Sequence, residues 1–303
     1  MSRLTVFFCD LPPAGLPALP GLPPPAPDAA ADVCALFGLH GPAAPLAAIT
    51  YTHDFGTPPP GWCARIDPVC LLPAGATLRL LPLDRSPLDD ADARALFERV
   101  SSAGVIPEVT WRYAAPLRWY LLGDHAPQLV TCPPGALPAG DVAAGQPRGR
   151  DAPRWQAWLN ELQMLLFDAP VNQAREARDL PPANALWLWG GGRTPALGSA
   201  PFDAVWTDQP LVGGLARLAG CRLHALPSSP QAWLAAPPAG HGLLALGAAA
   251  LETGTAAAWL GALQAALDAG RLESVTLLAA GARIELRRRG LLARLRARLR
   301  RAP

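Results

Sequence analysis

The sequence predicts an α/β fold, a mixed sheet with flanking helices, and three observations predict it. Short apolar runs bounded by Gly, Pro or Asp recur along the chain, as in RLTVFFCD and GLLALG, the signature of buried strands. Between them lie amphipathic stretches with helix-start signals, of which DAPRWQAWLNELQMLLFDAP is the clearest. Half of the 303 residues are hydrophobic and 17% are charged, so apolar material for a core is ample. Strands alternating with helices argue for layers around one sheet. The expected organisation is a single α/β domain over 1–281, with a candidate sub-boundary in the Gly/Pro/Ala-rich loop 133–149. A basic helical tail follows, over 282–303.

Taken in order, RLTVFFCD reads as a buried strand ended by Asp10, and LPPAGLPALPGLPPPAP as an extended proline-rich arm. DAAADVCALFGLHG reads as a helix with Asp28 or Asp32 near its start and Gly41 near its end. ITYTHDFG is a strand candidate. PVCLLPAGATLRLLPL forms two apolar runs around Pro73, Ala74 and Gly75, which predicts a hairpin. SPLDDADARALFERVSSAG is a helix: acids crowd its first turn, and Leu96, Phe97 and Val100 share a face. EVTWRYAAPLRWYLLGD supplies two more strands.

In the second half, Asp151 is the expected cap of a helix with Pro153 in its first turn. Trp155, Trp158, Leu159, Leu162, Leu165 and Leu166 fall on one side of it, a core stripe ended by Pro170. NQAREARD is a short helix stopped by Pro181 and Pro182. ALWLWGGG is a strand that points Trp187 and Trp189 to one side. A helix around PLVGGLARLAG, the strand GLLALG, the helix TAAAWLGALQAALDAG, and the strands SVTLLAAG and ARIELRR follow. LLARLRARLRR reads as a closing helix.

Composition excludes whole classes of chemistry. All 26 basic residues are arginine, so no phosphate-loop lysine, Schiff-base lysine or kinase lysine exists. Six cysteines (Cys9, Cys34, Cys63, Cys70, Cys132, Cys221) are scattered without a close pair, which argues against structural zinc and for buried reduced thiols. No secretory leader is read: the apolar run Leu4 to Cys9 is short and meets Asp10. The most apolar later stretch is broken by Glu252 before it reaches spanning length. A cytoplasmic protein without a transmembrane segment is expected.

Charge is unevenly placed. Nine arginines stand against Glu285 between Arg283 and Arg301, a local +8 in a chain of net charge +2, which leaves −6 for the remainder. Leu291, Leu292, Leu295 and Leu299 make an apolar stripe within that run. Such a tail suits nucleic acid or an anionic membrane surface. It suits equally a solvated helix enriched in arginine by codon usage.

The segment NELQMLLFDAPVNQAREARDLPPANALWLWGGG, 160–192, resembles the RpfE-type regulatory proteins of proteobacteria. It is also similar to part of the archaeal-type cofactor-independent phosphoglycerate mutases. Those enzymes carry a similar pattern: Pro-Val-Asn, an arginine shortly after it, and Ala-Asn before Trp-Leu-Trp-Gly. A looser likeness runs through DPVCLL, RWYL and the C-terminal half. The resemblance implies a reduced alkaline-phosphatase-like or phosphoglycerate-mutase-like core. In the enzymes a phosphorylated hydroxyl and two metal ions held by Asp and His do the chemistry. Here Asp10 ends the first strand without a following glycine, Ala169 precedes Pro-Val-Asn where relatives have His, and Cys70 follows Asp-Pro-Val where His is expected. His53-Asp54 is the sole His-Asp pair. It offers a base and its orienter, but no nucleophile motif accompanies it.

These departures lead to the expectation of a catalytically degenerate regulatory protein, related to phosphoglycerate mutases, that binds a small phosphorylated or carboxylate metabolite without a cofactor. Gly190, Gly191 and Gly192 would bring backbone N–H groups close to the anion and Arg193 would clamp it, with Asn172, Arg175 and Asn184 completing the pocket. The plainer reading makes the tryptophans core, the glycines a turn and Arg193 solvated. Two rivals stay open. One is an active phosphoglycerate mutase or phosphatase using Mn or Zn in an atypical site, and the other is an interaction protein working through its tail.

Overall fold

The computed structural model describes residues 2–8, 29–41, 44–75, 77–81, 83, 86, 88–137, 141–235, 240–247, 255–279 and 282–286. Asp10, the proline-rich arm and the arginine tail from 287 onward lie outside the described residues. The mixed α/β class is found, but the chain divides into two compact units rather than one. Met1–Gly41 with Leu197–Pro303 form the first, and Pro42–Ala196 the second. The boundaries fall at 41/42 and 196/197, so the loop 133–149 lies inside the second unit. That loop carries a 3-10 turn, Pro134–Ala136, and a four-residue helix, Val142–Gly145, that Asp141 caps through Ala143 N–H.

The first unit is built on a six-stranded sheet. Its strands are β1 (Arg3–Phe8), β7 (Ala204–Thr207), β8 (Arg222–His224), β9 (His241–Leu246), β10 (Ser274–Ala279) and β11 (Ala282–Leu286), in the order β11-β10-β1-β9-β7-β8. All neighbours pair parallel except β11, which runs antiparallel to β10 at the edge. Side chains alternate between the two faces of a strand. One face carries Leu4, Val6, Leu244, Val275 and Leu277, which bury against Trp233 and Trp259. Those tryptophans come from α8 (Pro230–Ala235) and α9 (Thr255–Asp268). On this unit α1 (Ala29–Leu36) and α7 (Pro210–Leu218) pack on each other, and α7 packs on β7 and β8. The short strands β7 and β8 and the helix α8 were not legible in the sequence.

The second unit is antiparallel. The long β2 (Trp62–Ala74) pairs β5 (Arg118–Gly123) on one edge and β6 (Ala185–Gly192) on the other. Its far half pairs β3 (Thr77–Leu81), the expected hairpin, and β5 pairs β4 (Thr110–Ala115). The core gathers α3 (Asp90–Ser101) and α5 (Ala152–Phe167) on the sheet through Leu96, Val100, Trp155, Leu162 and Leu166. Trp158, Leu159 and Leu165 pack on it partly buried, so the α5 stripe is core. Asp89 caps α3, accepting from Asp92 N–H at 2.7 Å. Asp151 does not cap α5; its carboxylate accepts from Gln128 N–H instead. Pro170 opens α6 (Pro170–Glu176) as its first residue.

One element departs in kind. ITYTHDFG, expected as a strand, lies in helix α2 (Leu46–Phe55). Its β-branched residues and aromatics suggest a strand, but the helix makes use of them. The Thr50 and Thr52 hydroxyls donate back to the carbonyls of Leu46 and Ala48. Gly56 ends the helix in the left-handed conformation, at φ 78°, while Ala47, Ala48 and Ile49 are buried.

Candidate functional site

The strand β6 explains its own glycines. Between Cys63↔Gly192 and Arg65↔Trp189 the register of β2 with β6 shifts, so two residues, Gly190 and Gly191, oppose the single Ala64. This is a β-bulge, and Gly190 takes the left-handed φ of 67° that such a kink needs. The bulge presses β6 against the start of α2. A Cβ on Gly190 would lie 3.2 Å from Ala47 N, and one on Gly192 would lie 2.5 Å from Pro45 Cβ. Beside this end is a cavity of about 110 Å³, walled by Gly191, Gly192, Trp62 and Thr131. Arg193 follows it, exposed, and donates one Nη2 hydrogen bond to Asp124 O at 2.7 Å.

Asn172, Arg175 and Asn184 gather at the opposite end. Asn172, 2% exposed, donates to Leu166 O and Ala183 O and accepts from Ala183 N–H. Arg175, also 2% exposed, donates to the carbonyls of Pro181 and Ser86. Asn184 exchanges two bonds with the Leu71 backbone, at 2.7 and 3.0 Å. These amides and this guanidinium fasten α6 and the loop that leads into β6 to the end of α5, to Ser86 and to β2. Asn184 precedes β6 and Gly190 falls late in it, so at roughly 3.3 Å per residue about 20 Å separates the two groups. The seven residues therefore do not converge on one pocket: three hold the start of β6, and four form its end.

Between these ends lies a polar cluster that sequence reading missed. Successive strands place Trp189, Arg65, Tyr120 and Arg112 in one cross-strand row. The Arg65 guanidinium lies 4.9 Å from the Trp189 ring and 5.5 Å from that of Tyr120, and Arg112 lies 5.0 Å from the Phe55 ring of α2. In the adjacent row Asp67 accepts from Arg65 Nε and Nη2 at 2.8 and 2.6 Å, and from Trp189 Nε1. Burial pushes the Asp67 carboxyl up from its ordinary value, against the pull of Arg65. Asp54 accepts from Arg118 Nε and Nη2, at 2.6 and 2.9 Å, and from the Tyr120 hydroxyl. Each oxygen of both carboxylates thus accepts at least one hydrogen bond. Asp54 clamps α2 to β5. The visible signal was the alternation Arg65-x-Asp67 beside Arg118-x-Tyr120.

In the first unit the carboxyl ends of the parallel strands form the edge where α/β sheets usually meet ligands. There Thr207 Oγ1 accepts from Gln209 N–H, and Gln209 Nε2 donates to Asp208 at 2.9 Å. The histidines are engaged separately. His241 Nε2 lies 3.0 Å from Thr5 Oγ1, and His224 stacks on Trp206 with centroids 5.0 Å apart. Among the described residues no group of three or more His, Cys, Asp and Glu is placed to hold a metal ion. Five cysteines there are free thiols, and none of the helices there is long and apolar enough to cross a membrane.

No protein-family model matches the chain. Over 136 residues it is 24% identical to a protein of Geobacter sulfurreducens described as "Probable 2,3-bisphosphoglycerate-independent phosphoglycerate mutase", which covers 45% of this chain and 34% of that protein. Over 105 residues it is 29% identical to a 2,3-bisphosphoglycerate-independent phosphoglycerate mutase of Methanothrix thermoacetophila, covering 35% and 25% respectively. The chain therefore spans about a third or less of the length of the curated relatives it matches. A solved cofactor-independent phosphoglycerate mutase from Thermoplasma acidophilum superposes with a TM-score of 0.47 at 16% identity, covering 94% of this chain and 88% of that one. The relation to cofactor-independent phosphoglycerate mutases is thus one of distant homology over part of the chain.

Proposed function

We propose that this chain is a phosphoglycerate-mutase-related regulatory protein of the RpfE type, catalytically degenerate, that binds a small phosphorylated or carboxylate metabolite in the cytoplasm without a metal. One observation carries the reading: the side chains that the resemblance offers for chemistry are bonded into the protein's own frame. Asn172, Arg175 and Asn184 hold backbone groups, and Asp54 holds Arg118. Free thiols among the described cysteines suit a reducing compartment.

The anion site narrows to the end of β6. Arg193 uses one donor on Asp124 O, and a guanidinium carries five. The 110 Å³ cavity beside Gly191 and Gly192 is several times the roughly 30 Å³ share of one water, room for a carboxylate or phosphate group.

Calorimetric titration with 3-phosphoglycerate, with and without Mn²⁺, tests the proposal together with a mutase assay. Binding that needs no metal and disappears in Arg193→Ala supports it. Binding that requires Mn²⁺ and is followed by turnover replaces it with the enzyme reading. No binding in either condition removes the phosphoglycerate ligand.

A further inference from the structure

The face of the first unit's sheet opposite Trp233 and Trp259 holds a cavity of about 530 Å³. That is within the 300–1,000 Å³ of small-molecule sites. Its floor runs across β1, β10 and β11, where register sets Thr5, Thr276 and Glu285 side by side and Arg3 beside Ser274. Both β1 and β10 are interior strands of a largely parallel sheet. Such strands ordinarily read as continuous apolar runs, because both of their faces are covered. Here three hydroxyls and three charged side chains, Arg3, Arg283 and Glu285, share one face, with Glu273 at the rim, and nothing in the packing of the apolar face requires them.

The lining chemistry selects the ligand. Arg3 and Arg283 are balanced by Glu273 and Glu285, and Arg3 lies 3.7 Å from Glu273, so the lining carries no net formal charge that would favour an anion. What it offers is hydrogen bonding in both senses. His241 bonds the Pro201 backbone and, through Nε2, the Thr5 hydroxyl. If its Nδ1 carries the proton to the Pro201 carbonyl, Nε2 accepts from Thr5 and the Thr5 oxygen keeps acceptor capacity toward the cavity. Guanidinium and carboxylate side chains match the paired hydroxyls of a diol. The Phe202 ring, centred 4.8 Å from that of His241, adds an apolar wall. We propose that this cavity binds a neutral polyhydroxylated molecule of monosaccharide to disaccharide size. The site is separate from the anion site at the end of β6 and does not depend on it.

Saturation-transfer NMR on the full chain with a millimolar mixture of D-ribose, D-glucose and sucrose, and separately with 3-phosphoglycerate, tests this. Transfer to at least one sugar is expected, with affinity about three- to tenfold weaker in Thr276→Val, which removes one hydrogen bond. Arg283→Met, on the exposed edge strand, should weaken it similarly, and unchanged thermal melting shows that either variant folds. No transfer to any of the sugars overturns the proposal, as does transfer that both variants leave intact. Transfer to 3-phosphoglycerate alone that Arg283→Met abolishes also overturns it, because the cavity is then an anion site.

Discussion

Trp189 Nε1 donates to Asp67 Oδ2 over 2.8 Å, while the Trp189 ring carries the Arg65 guanidinium 4.9 Å from its centre. One indole therefore serves both halves of a buried ion pair, as donor to the acid through its edge and as a π-face for the base. Removing one member of such a pair leaves the other charged and unsolvated. Asp67→Ala should cost about 3–5 kcal/mol in urea unfolding, because Arg65 is only 8% exposed. Replacing both, as Arg65→Met with Asp67→Leu, should cost less than the single change. Equal losses in the two would refute the pair as the origin of the effect.

The glycines of β6 are predicted to act through packing. Gly192→Ala sets a methyl 2.5 Å from Pro45 Cβ and should destabilise by roughly 1–3 kcal/mol. Gly190→Ala meets both the 67° φ and the start of α2, and should cost at least as much. Gly198→Ala, where a Cβ meets nothing within 4 Å, serves as the control and should stay within about 0.5 kcal/mol. Thermal denaturation of the three variants separates these outcomes.

Asn172 and Arg193 should separate stability from binding. Asn172→Ala strands the buried Ala183 N–H and carbonyl and removes one of the donors to Leu166 O, and should lower stability by roughly 2–4 kcal/mol. Arg193→Ala should change stability by no more than about 0.5 kcal/mol, since the side chain is exposed, yet abolish 3-phosphoglycerate binding. A marked loss of melting temperature in Arg193→Ala would assign that residue to the frame instead.

The first unit should lose stability in mild acid. Burial, the largest influence, lowers the His241 pKa from its ordinary value. The unfolded chain therefore binds the proton more readily than the folded one. The His241 contribution is full above about pH 6.5 and is lost as pH falls below that value. Melting temperatures recorded between pH 5 and 8 should show this slope, and His241→Gln should flatten it. A slope unaltered by the substitution would point to other groups.

Most of the architecture was legible because long periodic segments reveal themselves. The α5 stripe, the β2–β3 hairpin around Gly75 and the β10–β11 pair all follow from spacing alone. What local pattern could not reveal was tertiary. ITYTHDFG alternates like a strand, yet it lies in a helix that buries Ala47 to Ile49, where the Thr50 and Thr52 hydroxyls are satisfied by carbonyls one turn back. Asp54 reads as the partner of its neighbour His53, whereas its bond to Arg118 spans 64 residues. Asn172 and Gly190 sit close together in the sequence, yet the extended β6 sets them at opposite ends of a strand. The short β7 and β8 carry too few residues to show a period at all.

Strand β1 is laid down at the start of the chain, but its bonding partners lie far downstream, and Thr5 and His241 are 236 positions apart. At a synthesis rate of 5–20 residues per second, the apolar run LTVFF waits about 10 to 50 s for β9 to be made. All of Pro42–Ala196 emerges within that interval and can close its own antiparallel sheet first. The first unit is thus assembled late and from distant pieces, and pairings of such high contact order form slowly. A nascent chain stalled before His241 would hold a finished second unit and an unpaired, aggregation-prone β1.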